Sequence, residues 1–157
     1  MKNPIQYKQI VDHGIRAAGC IILLLLICVC GWESHASADC ADIKITTKQQ
    51  VVSKGDTVYV MVTVTSTTAM SGFEGFFTYD NTVLQFQTGG SVVYGNDDAF
   101  QISDIDRSST ATKLKYSIKF KARKAGDTEI ALTGPYHVFG ESTSTKLSAS
   151  YNSLVLV

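Results

Sequence analysis

Four aspartates, Asp97, Asp98, Asp104 and Asp106, fall close together between Asn96 and Arg107. Carboxylates gathered in one loop are what a hard cation requires, since calcium takes about six to eight oxygen ligands. These four are therefore the candidates for a metal, and calcium is the metal they would suit. The run D-I-D-R-S-S at Asp104–Ser109 has neither the turn glycine nor the closing glutamate of a helix-loop-helix calcium site. A solvated loop is the simpler expectation, and no other cofactor is implied. Nor does the spacing select a carboxylate pair for glycoside hydrolysis. Nucleophilic catalysis by serine or cysteine needs a histidine base. Beyond residue 38 the chain has one histidine, His137 in G-P-Y-H-V-F-G, and one cysteine, Cys40. They cannot make a zinc site between them, and His137 is expected as a half-buried turn residue. No G-x-x-x-x-G-K-[ST] phosphate loop is present. The residue types point away from an enzyme.

The elements that would carry these side chains begin after a distinct leader. Lys2, Lys8 and Arg16 precede an apolar run from Ala17 to Gly31, followed by H-A-S-A-D with Ala36 and Ala38 as small residues of an A-x-A site. This is the pattern of a secretory signal peptide, spanning 1–38, that engages the membrane during export. The run is short for a membrane span, which needs about 20 apolar residues, although an uncleaved anchor is the alternative. Cleavage after Ala38 would leave Cys40 without an intramolecular disulfide partner. The expected product is one domain, 39–157, secreted or displayed at the cell surface. The 157-residue chain carries 14 Lys and Arg against 14 Asp and Glu, and removal of the leader keeps the balance near neutral. That gives no reason to expect nucleic-acid binding.

Within 39–157 a period of two dominates. In D-T-V-Y-V-M-V-T-V-T, Val58, Val60, Val62 and Val64 share one face. In K-L-K-Y-S-I-K-F-K-A, Leu114, Tyr116, Ile118 and Phe120 alternate with Lys113, Lys115, Ser117, Lys119 and Lys121. Such a strand is buried on one side and solvated on the other. Turn signals at Gly55, Asp80-Asn81, Gly89-Gly90, Asn96-Asp97, Gly126 and Gly134 separate the runs. The pattern predicts about nine strands, near 41–46, 56–65, 72–79, 83–87, 99–105, 113–122, 127–133, 136–140 or 145–150, and 152–157. Many short strands at this spacing predict an all-β, antiparallel two-sheet sandwich of the jelly-roll type.

The ordered motifs of 39–157 resemble a cohesin domain, a module that binds dockerins. A-D-I-K-I leads to K-G-D-T-V-Y-V-M-V-T-V, similar to the family's G-D-x-V-x-V-x-V strand. M-S-G-F-E-G-F-F-T-Y-D-N-T-V-L-Q-F resembles its aromatic-rich strand and Tyr-Asp turn, and Y-S-I-K-F-K-A-R-K-A-G-D-T-E-I-A-L its C-terminal pair. The resemblance implies that Phe73, Gly75, Phe77 and Tyr79 point inward while Gly72, Glu74, Phe76 and Thr78 face out. In cohesins this outer face receives the dockerin helices, and a polar Asn-x-Asp supplies hydrogen bonds. Those two positions fall on Gly72 and Glu74, so a longer carboxylate is kept and the amide is lost. The resemblance also implies that Lys113, Lys115 and Lys119 lie in the same sheet, giving a face suited to an acidic amphipathic helix.

Two other functions compete. The same sandwich carries carbohydrate-binding modules, which would hold polysaccharide on exposed aromatics such as Tyr59, Tyr94 and Tyr136. An adhesion or assembly subunit would instead join copies through Cys40 or an exposed strand edge.

Overall fold

The computed structural model describes residues 40–105 and 107–157. The expectations for the leader 1–38, its cleavage, and Asp106 lie outside those residues.

Alternating valines decide the centre of the first layer. Strand β2 (Thr57–Met70) buries Val58, Val60, Val62 and Val64 completely. It lies antiparallel between β1 (Cys40–Thr47) and β7 (Ala111–Ala122). β7 then pairs with β4 (Leu84–Thr88), and β1 with β10 (Lys146–Tyr151). The β1–β10 pair is parallel, the one departure from the antiparallel expectation among the described strands. Ahead of β2, Asp56 Oδ2 accepts from Gln49 Nε2 at 2.8 Å and from Ser53 N at 3.0 Å, while Gly55 takes a positive φ of 92° that suits glycine.

The second layer is built on β3 (Gly72–Thr78). It pairs with β6 (Ala99–Asp104) on one side, and with β8 (Thr128–Leu132) and β9 (His137–Phe139) on the other. β5 (Val93–Gly95) extends this layer beyond β6, and β11 (Leu154–Leu156) beyond β8. β9 also pairs with β10, which ties the two layers along one edge. The structure is the predicted all-β sandwich with eleven strands. The two additional strands have simple causes. V-Y-G of β5 is too short to show a period, and His137–Phe139 and Lys146–Tyr151 are both strands rather than alternatives. His137 therefore sits in a strand and not in a turn.

Aromatic rings fill the space between the layers. Phe77 stacks on Phe100 at 4.8 Å between centroids, and Phe120 from the opposite layer meets Phe100 at 5.9 Å and Tyr79 at 5.0 Å, edge to face. Phe73 faces Tyr116 at 6.0 Å. Burying each such ring contributes about 1.5–3 kcal/mol, with roughly 0.5–1.5 kcal/mol more for a well-oriented pair.

One expectation fails at this level. Lys113, Lys115 and Lys119 do not share a layer with Glu74 and Phe76. β7 is held between β2 and β4, whereas β3 is held by β6, β8 and β9. Leu114, Tyr116, Ile118 and Phe120 fill the core from the layer facing β3. Their alternation aims the lysines out of the far side of the sandwich. Alternation within a strand predicts which side chains face out, but not from which layer.

Candidate functional site

From Phe73 to Tyr79 the chain alternates as the resemblance implied. Phe73 and Phe77 are fully buried, Gly75 and Tyr79 are buried, Phe76 is exposed, and Glu74 and Thr78 are half-buried. Cross-strand register then assembles two rows on the outer face. Tyr94 of β5 lies opposite Gln101 of β6, which lies opposite Phe76. Ser103 lies opposite Glu74, which lies opposite His137 of β9. Directly opposed residues on one face sit about 4.5–5.5 Å apart at Cβ, so each row is a contiguous surface. Gln101 Nε2 donates to Glu74 Oε1 at 3.2 Å and links the rows. His137 Nε2 lies 3.3 Å from Lys146 Nζ.

Phe76 is 37% exposed because a turn leans on it. Thr133 N donates to Phe76 O at 3.0 Å, and the turn continues through Gly134 and Pro135. A β-carbon on Gly134 would lie 2.8 Å from Phe76 Cβ, so glycine is what permits this approach. The ring forms a ridge between two hollows. One, of about 170 Å³, is bordered by Glu74, Gln101, Pro135 and His137. The other, of about 200 Å³, is bordered by Tyr94, Asn96 and Gln101. Tyr94, 61% exposed, was not among the residues predicted for this face. Its aromatic type was legible, but the register that brings it beside Phe76 was not.

Gly72 does not belong to the accessible face. It is buried, and the backbone of Asp104 and Ile105 crosses directly over it, leaving no room for a Cβ. The loss of an amide side chain at this position therefore has a packing cause. Thr78 lies opposite Ala131 and Ala99, at the other end of the strand.

The described aspartates, Asp97, Asp98 and Asp104, do not form one loop site. Asp97 and Asp98 are exposed ahead of β6, and Asp104 is buried at its far end. At about 3.4 Å per residue the strand holds them roughly 20 Å apart, too far to share an ion. Asp104 Oδ2 accepts from Tyr116 Oη at 2.8 Å and from Arg107 Nη1 at 2.5 Å. Among the described residues no three His, Cys, Asp or Glu side chains gather as metal ligands.

The tyrosines proposed for a sugar platform are dispersed. Tyr59 projects from β2 in the first layer and Tyr94 from β5 in the second. Tyr136 packs edge to face on Tyr151 at 5.6 Å and donates to Ala149 O at 3.1 Å. Cys40 is exposed at the start of β1 with Sγ 3.6 Å from Ser148 Oγ.

This sandwich is similar in fold to solved cohesin domains. The chain is similar in structure to the sixth cohesin of scaffoldin B from Acetivibrio cellulolyticus, solved in complex with a Cel5 dockerin. That match has 20% identity and a TM-score of 0.57, and covers 74% of this chain and 96% of that one. A type II cohesin domain from the cellulosome of the same organism matches at 16% identity and TM-score 0.55, covering 74% and 94%. A non-cellulosomal cohesin from the archaeon Archaeoglobus fulgidus matches at 12% identity and TM-score 0.58, covering 74% and 88%. No protein-family model matches the sequence, and no curated protein does. The domain is cohesin-like in fold.

Proposed function

We propose that the domain is a non-catalytic, secreted or surface-displayed module that docks a dockerin-like helical partner on the outer face of β5, β6 and β3. The observation that carries this reading is the Phe76 ridge, set between two hollows the size of single side chains and bordered by Tyr94, Glu74 and His137. Exposed aromatics with a polar surround are the usual anchors of an interface, and an amphipathic helix offers side chains at i and i+3 or i+4 to straddle such a ridge. Several solved cohesins of this fold hold dockerins. The leader pattern of 1–38 supports export.

The charge of the face changes the partner that fits it. With the β7 lysines on the other layer, the charged groups around this face are Glu74, Asp97 and Asp98 next to Asn96 of the second hollow, and Lys146 beside His137. The complementary helix carries basic residues, in place of the acidic helix expected from the sequence.

The full chain, expressed with export, is used to capture proteins from the producer's secreted fraction beside a Glu74→Lys, Phe76→Ala variant. Recovery of a dockerin-bearing protein by the wild type alone supports the reading. Recovery by both discards this face, and retention of no protein by either overturns the docking function.

A further inference from the structure

The opposite side of the sandwich is a second built surface. Register places Thr46, Met61 and Ser117 in one row across β1, β2 and β7, and Tyr59 beside Lys119 in the next. A hollow of about 490 Å³ lies over these rows, between Tyr59, Met61 and Ser117 and the chain at Thr46–Lys48. A second hollow, of about 430 Å³, is bordered by Ser91, Arg107, Lys115 and the same Ser117. The second opens at the edge of β7 beyond the end of β4, where Tyr116 and Asp104 also line it, and Ser117 borders both hollows.

Positive charge is in excess on this face, and Asp104, which borders the second hollow, is held by Arg107 and Tyr116. Asp42 is the one carboxylate on β1, β2, β4 and β7, and Lys44 occupies it at 2.9 Å. Lys121 is tied to Gly55 O. Lys113, Lys115 and Lys119 form no salt bridge among the described residues, whose ion pairs are Lys44–Asp42 and Arg107–Asp104. Alternate positions along β7 put Lys113 and Lys115 about 7 Å apart. Tyr59, 59% exposed, stands beside Lys119.

We infer that this face binds an anionic polysaccharide, laid across the strands in the groove through Ser117. Tyr59 presents a flat ring to a sugar face, and the Thr46, Thr57 and Ser117 hydroxyls supply both donors and acceptors for sugar hydroxyls. Lys115 and Lys119 pair with the carboxylates or sulfates of the chain as point charges. The chemistry of the face disfavours other polymers. A peptide adding as a strand would take the open edge of β7 before Lys119, and not the face over β2, which is paired with β1 on one side and β7 on the other. Single-stranded nucleic acid calls for successive aromatic platforms, and Tyr59 is the one aromatic projecting from this face of β1, β2 and β7. The surface is separate from the docking face around Phe76, so one domain would hold a protein partner and a charged matrix at once.

The test is affinity electrophoresis of the exported full chain in gels containing polygalacturonate, dextran sulfate, neutral galactan or polyphosphate, with flotation on anionic phosphatidylglycerol vesicles alongside. Expected is retardation by polygalacturonate or dextran sulfate, the two gels telling carboxylate from sulfate, with none by galactan. Tyr59→Ala, which removes an exposed ring and keeps every charge, weakens that binding about tenfold or more. Lys115→Gln with Lys119→Gln weakens it and flattens its salt dependence. Glu74→Lys with Phe76→Ala leaves it unchanged, which separates its failure from failure of the docking face. Unchanged melting temperatures show that the variants are folded. Equal retardation by polyphosphate that Tyr59→Ala does not alter, binding to vesicles alone, or no retardation in any gel overturns the inference.

Discussion

Tyr116 Oη donates to Asp104 Oδ2 at 2.8 Å, joining β7 of one layer to the end of β6 in the other. Arg107 completes the contact, and its backbone N–H donates to Ser71 O at 3.1 Å, so the chain after β6 is held across the start of β3. Asp104, a candidate cation ligand in a sequence segment expected as a solvated loop, is a buried structural acceptor.

Asp104→Ala leaves a buried tyrosine hydroxyl without its acceptor, and the cost is about 2 kcal/mol. A lowered urea midpoint with unchanged m-value measures it. Chelator added to the wild type leaves the midpoint where it was, because the aspartates are too far apart to hold one ion. A chelator-induced drop would restore the calcium reading.

Alkaline pH tests the same contact. Burial first, and then the hydrogen bond to Asp104, raise the Tyr116 phenol well above its ordinary value of 10.0. Above about pH 10 the unfolded chain has lost a proton that the folded chain keeps. The contribution is complete below pH 10 and is lost progressively as pH rises towards the folded-state pKa. Thermal melts at stepped alkaline pH are expected to fall more steeply for the wild type than for Tyr116→Phe. Tyr79, also raised by burial, leaves a residual slope in the variant.

The layer assignment of β7 makes a sharp prediction about partner binding. Phe76→Ala weakens a dockerin-type partner by about tenfold or more. Lys113→Gln, Lys115→Gln and Lys119→Gln together change that affinity by less than about twofold, since rim or remote charges contribute little. Titration calorimetry of both variants decides the matter. A large loss from the lysine variant would place the interface on the other layer.

Gly134→Ala tests the support of the Phe76 ridge. The added methyl meets Phe76 Cβ, and the turn must move away from the ring. Overpacking of this kind costs about 1–3 kcal/mol. Both the melting temperature and partner affinity are expected to fall, whereas Gly55→Ala, with no neighbour within 4 Å, affects stability alone through its positive φ.

Much of this was legible residue by residue. The valines of β2 and the Leu114–Phe120 alternation of β7 predicted their buried faces, since a two-residue period needs only local sequence. Phe76 outward and Phe77 inward came from the resemblance to the cohesin strand, since two adjacent phenylalanines do not show by period alone which one is buried. His137 was misread as a turn residue because Gly134-Pro135 lies just before it and three residues carry no visible period.

The sequence by itself determined an all-β sandwich and the side of β2 and β7 that meets water, because a two-residue period is local. Tertiary structure alone decided which layer each strand joins, because hydrogen-bond partners distant along the chain leave no local pattern. That step brought Tyr94 to Phe76, buried Gly72 beneath the Asp104 backbone, separated the aspartates, and put the lysines on a face of their own.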